Sequence, residues 1–463
     1  MRRFDWRSVV VSSVIIGTLA ATAETRPQYG GTLHIAMRAA LTSLDPKDTN
    51  PADGSQSDSF SRRSLDMLIF ETLVNVDESL QIQPALATTW QASPDNQRWQ
   101  LRIRHGVKFH DGTLLSAEVA AASLRAANPT WKVSAEGDSI IITRDTADLE
   151  LPAQLALAKN AIVKRNADGV PSGTGPFHIV DWRPGRSLAV AANEDCWRGR
   201  PFLDAIEVDM GRSFHEQMTA MELGKEDFVE VAAEQSRHIS QEGYQLVSSK
   251  PIELVALLFT RDTTSPEEKL LREALALSIE RGSIRSVLLQ GAGEPTASIL
   301  PNWMSGYGFV FSSDADLVQA RQAREQVNKI PSWSVGYDTD DVVARLLAER
   351  IALNAKDAGL SLQPTGSAVA DMKVVRIAMA SPHPWIALRQ VSMIEGASLT
   401  RDGGSVENLY ASERALLTSQ RLVPLFHLPA SYAASSALNN WTVGADGVWN
   451  LADAWMGAAH RER

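Results

Sequence analysis

Apolar residues recur alternately every two and about every 3.6 positions along this chain, and this change of period constrains the fold most strongly. The run Thr32–Met37 alternates as a strand does, and so does Trp99–Arg104, where Trp99, Leu101 and Ile103 share the inward face. Further short apolar runs predict strands at Ile140–Ile142, Ile206–Val208, Leu254–Phe259 and Val374–Ile377. Strands that interleave with helices throughout predict an α/β or α+β protein with more than one lobe.

Two helices are marked by signals at their ends. Ser265 to Glu268 spell a capping box with proline at the first helical position, and the helical pattern continues to a stop at Gly282. A second helix begins near Asp340 and ends before Gly359, where glycine supplies the usual C-terminal stop.

Length and composition narrow the class of protein. A chain of 463 residues is too long for one core, so two or three domains are expected. The net charge of −10 argues against nucleic acid or an anionic membrane surface as a partner. Cys196 is the single cysteine, which excludes a disulfide framework and a multi-cysteine metal site.

The N-terminus has the order of a secretory signal peptide. Arg2, Arg3 and Arg7 precede the apolar stretch Ser8–Ala20, and Ala21-Thr22-Ala23 is a small-residue cleavage site. The apolar core is too short to span a membrane. Residues 1–23 are therefore predicted to be removed after Ala23, which leaves a periplasmic protein.

The stretch from His105 to Gly112 is the strongest candidate for catalysis or metal binding. His105 and His110 are five residues apart and Asp111 follows, but a metal site needs three or four convergent donors. The alternative is a strand, a turn at Asp111-Gly112 and a helix capped by Ser116. The pattern favours this second interpretation, so no catalytic residue, metal or cofactor is predicted.

Four segments in order carry a more specific signal. They are Tyr29–Pro46, Glu71–Leu124 with PALATTW and LRIRHGVKFHDG, Gly173–Val208 with GTGPFHIVDW, and Lys269–Pro301. Together they resemble extracellular solute-binding protein family 5, the receptors of ABC importers that bind oligopeptides, dipeptides or nickel. The resemblance covers nearly the whole chain after the predicted signal peptide.

This resemblance implies an α/β, two-lobed periplasmic-binding-protein fold of type II, similar to the large cluster C receptors. Lobe I would be discontinuous, comprising residues 24–249 plus 423–463, with an extra inserted subdomain at about residues 70–170. Lobe II would comprise residues 250–422. Such receptors close by hinge bending, because ligand contacts both lobes and binds the closed form more tightly.

The function that the resemblance implies is binding without catalysis. A monomeric periplasmic protein would bind a short peptide or other small solute between its lobes and deliver it to an inner-membrane ABC permease. Two alternatives stay open. One is a secreted receptor that presents its ligand to a sensor or regulatory partner, and the other is a secreted hydrolase on the same fold.

Candidate ligand contacts follow from one departure from the family pattern. In peptide-binding relatives, a carboxylate that follows a strand of the second lobe captures the peptide's α-amino group. Ala380 stands at that position here, and His383 replaces a second aspartate. Because a buried ammonium needs an anion, capture of an amine is not expected. His383 is expected either to contact a neutral or anionic ligand or a metal, or to be a turn residue at the rim.

Other candidate contacts are Asp45 and several tryptophans. Asp45 opens a long polar loop that follows the first strand, where a ligand site is often built. Trp303, Trp385 and Trp131 lie near glycine or proline turns and are candidates to line a cleft. Taken singly, each of these tryptophans is expected in the core.

Overall fold

The computed structural model describes residues 26–48, 59–77, 79–165, 169–307, 311–399 and 404–457. The predicted signal peptide and its cleavage site lie outside these residues, as does most of the loop that follows Asp45. Within the described ranges, no helix is long and apolar enough to cross a membrane.

The first strands of the described chain are β1 (Thr32–Ala36), β2 (Val74–Val76), β3 (Ile82–Pro84), β4 (Ala87–Ala92), β5 (Arg98–Ile103), β6 (Lys132–Glu136), β7 (Ser139–Thr143), β8 (Lys164–Arg165), β9 (Pro171–Ser172), β10 (Phe177–Arg183), β11 (Ser187–Ala192) and β12 (Ala205–Asp209). The later strands are β13 (Phe228–Val231), β14 (Gln245–Phe259), β15 (Glu294–Pro295), β16 (Ser332–Gly336), β17 (Ser361–Thr365), β18 (Met372–Ala378), β19 (Leu422–Ala434), β20 (Leu438–Asn439), β21 (Thr442–Val443), β22 (Trp449–Asn450) and β23 (Trp455–Met456).

The helices are α1 (Phe60–Ile69), α2 (Ala117–Ala127), α3 (Leu151–Leu155), α4 (Phe214–Glu222), α5 (Ser236–Gln241), α6 (Pro266–Ser278), α7 (Arg281–Val287), α8 (Asn302–Ser305), α9 (Leu317–Glu325), α10 (Val342–Asp357), α11 (Pro384–Glu395) and α12 (Val406–Thr418). The six strands predicted from apolar periodicity are confirmed as β1, β5, β7, β12, β14 and β18, although the predicted runs pass the ends of β1 and β5 by one residue.

One large mixed sheet runs through both lobes. Its strand order is β10-β11-β12-β1-β13-β19-β14-β18-β16-β17. In lobe I, β1 pairs in parallel with β12 and with β13. In lobe II, β16 pairs in parallel with β17 and with β18. The two-lobed α/β fold expected from the sequence is confirmed.

The two lobes are joined through the long antiparallel strands β14 and β19. Near its start β14 pairs Gln245 with Ala434, on the part of β19 that also pairs with β13. Near its end it pairs Leu258 with Leu422 and also pairs with β18 of lobe II. Each strand therefore passes from one lobe to the other.

A smaller antiparallel sheet, β4-β5-β7-β6, has its own hydrophobic core. Trp99, Leu101 and Ile103 are buried there, as predicted, and Ala120 and Leu124 of α2 pack against them. The predicted residue limits of this insertion and of the two lobes stay predictions.

The histidine-rich stretch folds as a strand, a turn and a capped helix. Gly112 has φ of 81°, and the Ser116 side chain accepts the N–H of Val119 at the start of α2. His110 is occupied by backbone groups, because its Nδ1 accepts the Gly173 N–H at 3.3 Å and its Nε2 lies 3.0 Å from the Gly175 oxygen. Burial lowers the pKa of His110 to about 4, so the ring is neutral.

The turn at residues 173–175, which is hydrogen-bonded to His110, has room only for glycine at Gly173 and Gly175. A Cβ at Gly173 would lie 2.0 Å from the Ile69 carbonyl oxygen, and one at Gly175 would lie 2.5 Å from the Leu68 oxygen. Both carbonyls belong to the last turn of α1. The two glycines of the GTGP motif are therefore required for close backbone packing.

One predicted helix is shorter than expected. The helix that begins at Pro266 ends at Ser278 instead of Gly282, and α7 begins at Arg281. The buried Arg281 guanidinium donates to the Pro424 carbonyl at 2.9 and 3.0 Å, which ties the start of α7 to β19. The helix predicted near Asp340 is confirmed as α10, which is followed by Gly359 at φ of 81°.

At the C-terminal end of α11, the carboxyl group of Glu395 is buried and forms no hydrogen bond with any described residue. Burial raises the pKa of Glu395 to about 8, although the nearby Arg421 opposes this shift. An ordinary glutamate has a pKa of 4.5. The native state therefore holds one more proton than the unfolded state between these two values.

We predict that the free energy of unfolding falls as pH rises from about 4.5 to about 8, because Glu395 loses its proton over this range in the unfolded state but keeps it in the native state. Glu395→Gln removes this titration. The variant should be more stable than the native protein at pH 8.5 and similar to it at pH 4.5, measured by urea denaturation. Glu273→Gln, at an exposed position of α6, is the matched control. Parallel pH profiles for Glu395→Gln and the native protein would contradict this prediction.

Candidate ligand-binding cleft

A cleft of about 490 Å³ lies between the lobes, beside the crossing strands. Lobe I contributes Arg38, which follows β1, and Glu230 on β13. Lobe II contributes Gly336 at the end of β16 and residues 373–378 of β18. The cleft thus lies outside the carboxyl ends of parallel strands, the usual place for a ligand in an open α/β sheet.

An ion triad forms the wall on the lobe II side, with Asp341 buried and Arg376 and Glu253 half-buried. The Arg376 guanidinium, on β18, lies 2.6 Å from a Glu253 carboxylate oxygen and 3.2 Å from one of Asp341. Glu253 belongs to β14, and the Asp341 side chain caps the N-terminus of α10 by accepting the Ala344 N–H. Three elements are therefore held in register by one guanidinium.

The charges of this triad shift each other's titration. Burial alone would lower the pKa of Arg376, but the carboxylates of Glu253 and Asp341 raise it overall. Burial alone would raise the pKa of Asp341, but Arg376 and the Ala344 N–H lower it overall. Arg376 and Asp341 are consequently ionised throughout the physiological range, and the guanidinium already has its counter-charge before any ligand arrives.

Glu230 anchors the wall on the lobe I side. Its carboxylate accepts the Arg38 N–H at 2.6 Å, the Ser61 hydroxyl at 2.6 Å and the Gln217 amide at 3.2 Å. The Arg38 guanidinium lies 4.5 Å from the centre of the Phe214 ring, a cation–π distance. This wall presents a rigid surface of mixed cationic and aromatic character.

Aromatic rings and a lysine complete the lining. The rings belong to Phe60, Phe214, Tyr337 and Tyr432. The Tyr432 hydroxyl donates to the Gly447 carbonyl at 2.9 Å and is therefore occupied. Lys373 lines the cleft from β18 and forms no ion pair with a described residue. The cleft can hold a small solute that has apolar as well as charged groups.

A direct contact also joins the lobes. Arg63, on α1 of lobe I, donates to the Met379 carbonyl at 2.5 Å and to the Ala378 carbonyl at 2.8 Å. These carbonyls end β18 of lobe II. Gln390 of α11 donates to the same Ala378 oxygen at 3.0 Å.

The five residues proposed from the sequence lie outside the cleft lining. The Asp45 carboxylate contacts Arg165 and Lys47, and the Asp45 carbonyl accepts Arg62 Nη2 at 2.9 Å. The Trp303 indole N–H donates to the Pro251 carbonyl on β14 at 2.7 Å. Trp303 therefore braces a crossing strand.

The remaining three lie on or just before α11. Trp385 is buried in the main core, as the core alternative predicted. His383 precedes the first turn, and its Nδ1 is buried without a partner among the described residues. Burial lowers the pKa of His383. The Ala380 N–H donates to Gln390 Oε1 at 2.6 Å.

Ala380 and Trp131 line a second, smaller pocket beside the cleft. Binding roles for Asp45, Trp303, Ala380, His383 and Trp385 stay predictions. Within the described ranges, no group of three or more histidine, cysteine or acidic side chains is arranged to hold a metal ion.

Sequence reasoning missed the charged residues that form the cleft walls. Arg376 interrupts the apolar run of β18, and Glu253 interrupts that of β14. A charge in the middle of an apolar strand is a signal, because it must find a partner when it is buried. Their contact with Asp341 forms only in the tertiary structure, and the local sequence contains no signal that predicts it.

The chain matches the family model described as bacterial extracellular solute-binding proteins, family 5 Middle, over residues 81–373. It is 26% identical to the nickel-binding protein NikA of Staphylococcus aureus over 243 residues, which are 49% of each chain. It is 22% identical to the oligopeptide-binding protein AppA of Bacillus subtilis, over 58% of this chain and 53% of that protein. The matches thus span about half the length of these relatives.

Solved structures show the same fold. The AppA structure with a nonapeptide has a TM-score of 0.79 at 17% identity, with 93% of this chain and 100% of that chain covered. The S. aureus NikA structure with Ni(L-His)2 has a TM-score of 0.75 at 18% identity, with coverage of 90% and 97%. The chain belongs to the bacterial extracellular solute-binding proteins of family 5, and the resemblance seen in its four segments is confirmed.

We predict that Asp341→Asn lowers the free energy of unfolding by about 1.5–3 kcal/mol, because Arg376 loses a charged partner while asparagine can still cap α10. Asp340→Asn, at the exposed neighbouring position, should change it by less than about 0.5 kcal/mol. Urea denaturation of ligand-free protein measures both. Equal effects of the two substitutions would show that the triad contributes no stability.

Proposed function

We propose that this chain is the periplasmic substrate-binding protein of an ABC importer. It binds a peptide-like or other small solute in the cleft between its lobes and delivers it to an inner-membrane permease. The observation that carries this proposal is the cleft itself, which lies between two sheet regions joined through β14 and β19. Membership of the family supports the same role.

The relatives indicate a range of ligands, since their names specify nickel for one and oligopeptides for another. The cleft of about 490 Å³ falls within the usual range for small-molecule sites. Some of its charged groups are already paired with each other, and four aromatic rings belong to its lining. We therefore expect a solute the size of a short peptide, recognised by a few polar contacts on an apolar surface.

We place the hinge where Pro251 and Pro429 face each other on the crossing strands. The register shifts on both sides of Pro251, and neither proline can donate a ladder hydrogen bond. This point lies close to the proposed boundary between lobe I, residues 24–249 plus 423–463, and lobe II, residues 250–422. A solute that contacts both walls would stabilise the closed form by its greater affinity for that form.

The proposed protein is a binding protein without catalysis or cofactor. We propose that it acts as a monomer after cleavage following Ala23 and export to the periplasm. The histidines of the His105–Gly112 stretch support a role without catalysis. His110 is hydrogen-bonded to the backbone of residues 173–175, and His105 lies 3.3 Å from Asp138.

We predict that protein purified from the periplasm begins at Glu24 and carries its solute. Intact-mass measurement under denaturing and native conditions checks both points. The solute, added back to protein refolded without it, should raise the melting temperature by roughly 3 °C at a hundredfold excess over Kd. Chemical conversion of the solute, without such stabilisation, would contradict the proposal.

A matched pair of variants locates the binding site. Lys373→Gln should weaken solute binding, because this lysine lines the cleft without an ion pair to any described residue. Lys269→Gln, at an exposed position of α6, should leave binding unchanged. Isothermal titration measures both affinities, and equal affinities for the two variants would place the site elsewhere.

A further inference from the structure

A second pocket of about 240 Å³ adjoins the cleft and has a different chemical character. It lies between α11 and the inserted four-stranded unit. Gln390 belongs to the lining of both cavities, so the two cavities are neighbours.

The described residues that line this pocket include four cationic side chains and no acidic one. The cationic residues are Arg63, Arg144, Lys159 and Arg389. The main cleft differs, because its lining contains the carboxylates of Glu230, Glu253, Asp338 and Asp341 as well as cations. A positive pocket is therefore built into a chain whose net charge is −10.

One of these cations lies against an aromatic ring, and another has no partner for its side chain among the described residues. Arg144 lies 5.0 Å from the centre of the Trp131 ring, and its Nε lies 3.3 Å from Asp148. Arg389, on α11, is exposed and forms no hydrogen bond or ion pair with another described residue through its guanidinium. A guanidinium binds an oxyanion through two parallel hydrogen bonds.

The amides in the pocket are already used within the protein. Gln154 donates to Asp148 at 2.8 Å, and Asn128 donates to Asn160 at 2.7 Å. The Gln390 side-chain amide donates to the Ala378 carbonyl and accepts the Ala380 N–H. The Arg63 guanidinium is bound to backbone carbonyls at the end of β18, and that of Arg144 is paired with Asp148. Arg389 is therefore the guanidinium that is left to recognise a ligand, with Trp131 and Ile386 as apolar walls.

We infer that this pocket binds an oxyanion carried on an apolar or aromatic part of the transported solute. The inference rests on the proposed function for the identity of its natural ligand. The pocket has a charge opposite to that of a site for an amine, and Ala380 contributes no carboxylate that would repel an anion. An anionic group held here would place the rest of the solute against Gln390 and into the main cleft.

Matched fragments test the pocket without knowledge of the solute. Benzoate and benzyl phosphate supply the two oxyanions, and benzamide supplies the same ring without charge. We expect the native protein to bind one or both anions about tenfold more tightly than benzamide, measured by ligand-observed NMR at low salt. The preferred anion distinguishes a carboxylate solute from a phosphate solute.

Variants assign the binding to the pocket. Arg389→Gln should weaken anion binding about tenfold, and Ala380→Asp should weaken it as well by placing a carboxylate in the pocket. Arg345→Gln removes an exposed arginine of α10 outside both cavities and should have no effect. The inference would be overturned if benzamide bound as tightly as the anions. It would also be overturned if Arg345→Gln and Arg389→Gln weakened anion binding equally.

The outcome separates this inference from the proposed function. The co-purified solute can bind Arg389→Gln with unchanged affinity but Lys373→Gln more weakly. In that case the proposed transport role is supported, and the inference that the second pocket binds an anion is wrong. If no solute stabilises the protein while the fragments still bind through Arg389, the pocket stands and the transport role is wrong.

Discussion

The pairing of β14 with β19 is the constraint on which the rest of the molecule depends. Both strands cross from one lobe to the other while they remain hydrogen-bonded to each other, so neither lobe can complete its sheet alone. The two strands stay paired across the junction, with register shifts on both sides of Pro251 and again between Val255 and Ala256. The cleft exists because the sheet narrows to this pair of strands between its two wider regions.

Charge placement at the cleft follows from this geometry. Glu253 stands on a crossing strand, Arg376 on the neighbouring strand of lobe II, and Asp341 at the start of a helix. Their mutual pairing compensates the cost of burying them before a solute enters. The wall is therefore preorganised, and little reorganisation is needed when a ligand binds.

Much of the fold could be predicted because its signals are local. Strand alternation, the Ser116 cap and the glycine after α10 each depend on a few neighbouring residues, and all of them are present in the structure. β19 was not predicted, because its prolines disguise a strand whose partners lie far away in the sequence. The end of α6 was misplaced because the contact of Arg281 with Pro424 lies outside the helix's own pattern.

The site was less accessible to prediction than the fold. Motif comparison directed attention to the loop after β18, whereas the cleft is lined by residues from both ends of the chain. Arg38 and Tyr432 come close together only after the sheet has formed. Sequence periodicity identifies which residues are buried, but it does not identify which buried charges will meet.

Helix α1 carries three separate duties in ten residues. Phe60 at its start lines the cleft, Arg63 contacts the opposite lobe, and the carbonyls of its last turn lie against two obligatory glycines. A shift of this helix that suited a new solute would disturb the other two contacts. Diversification of ligand preference in this lineage should therefore proceed through β18, α11 and the inserted unit, while α1 changes slowly.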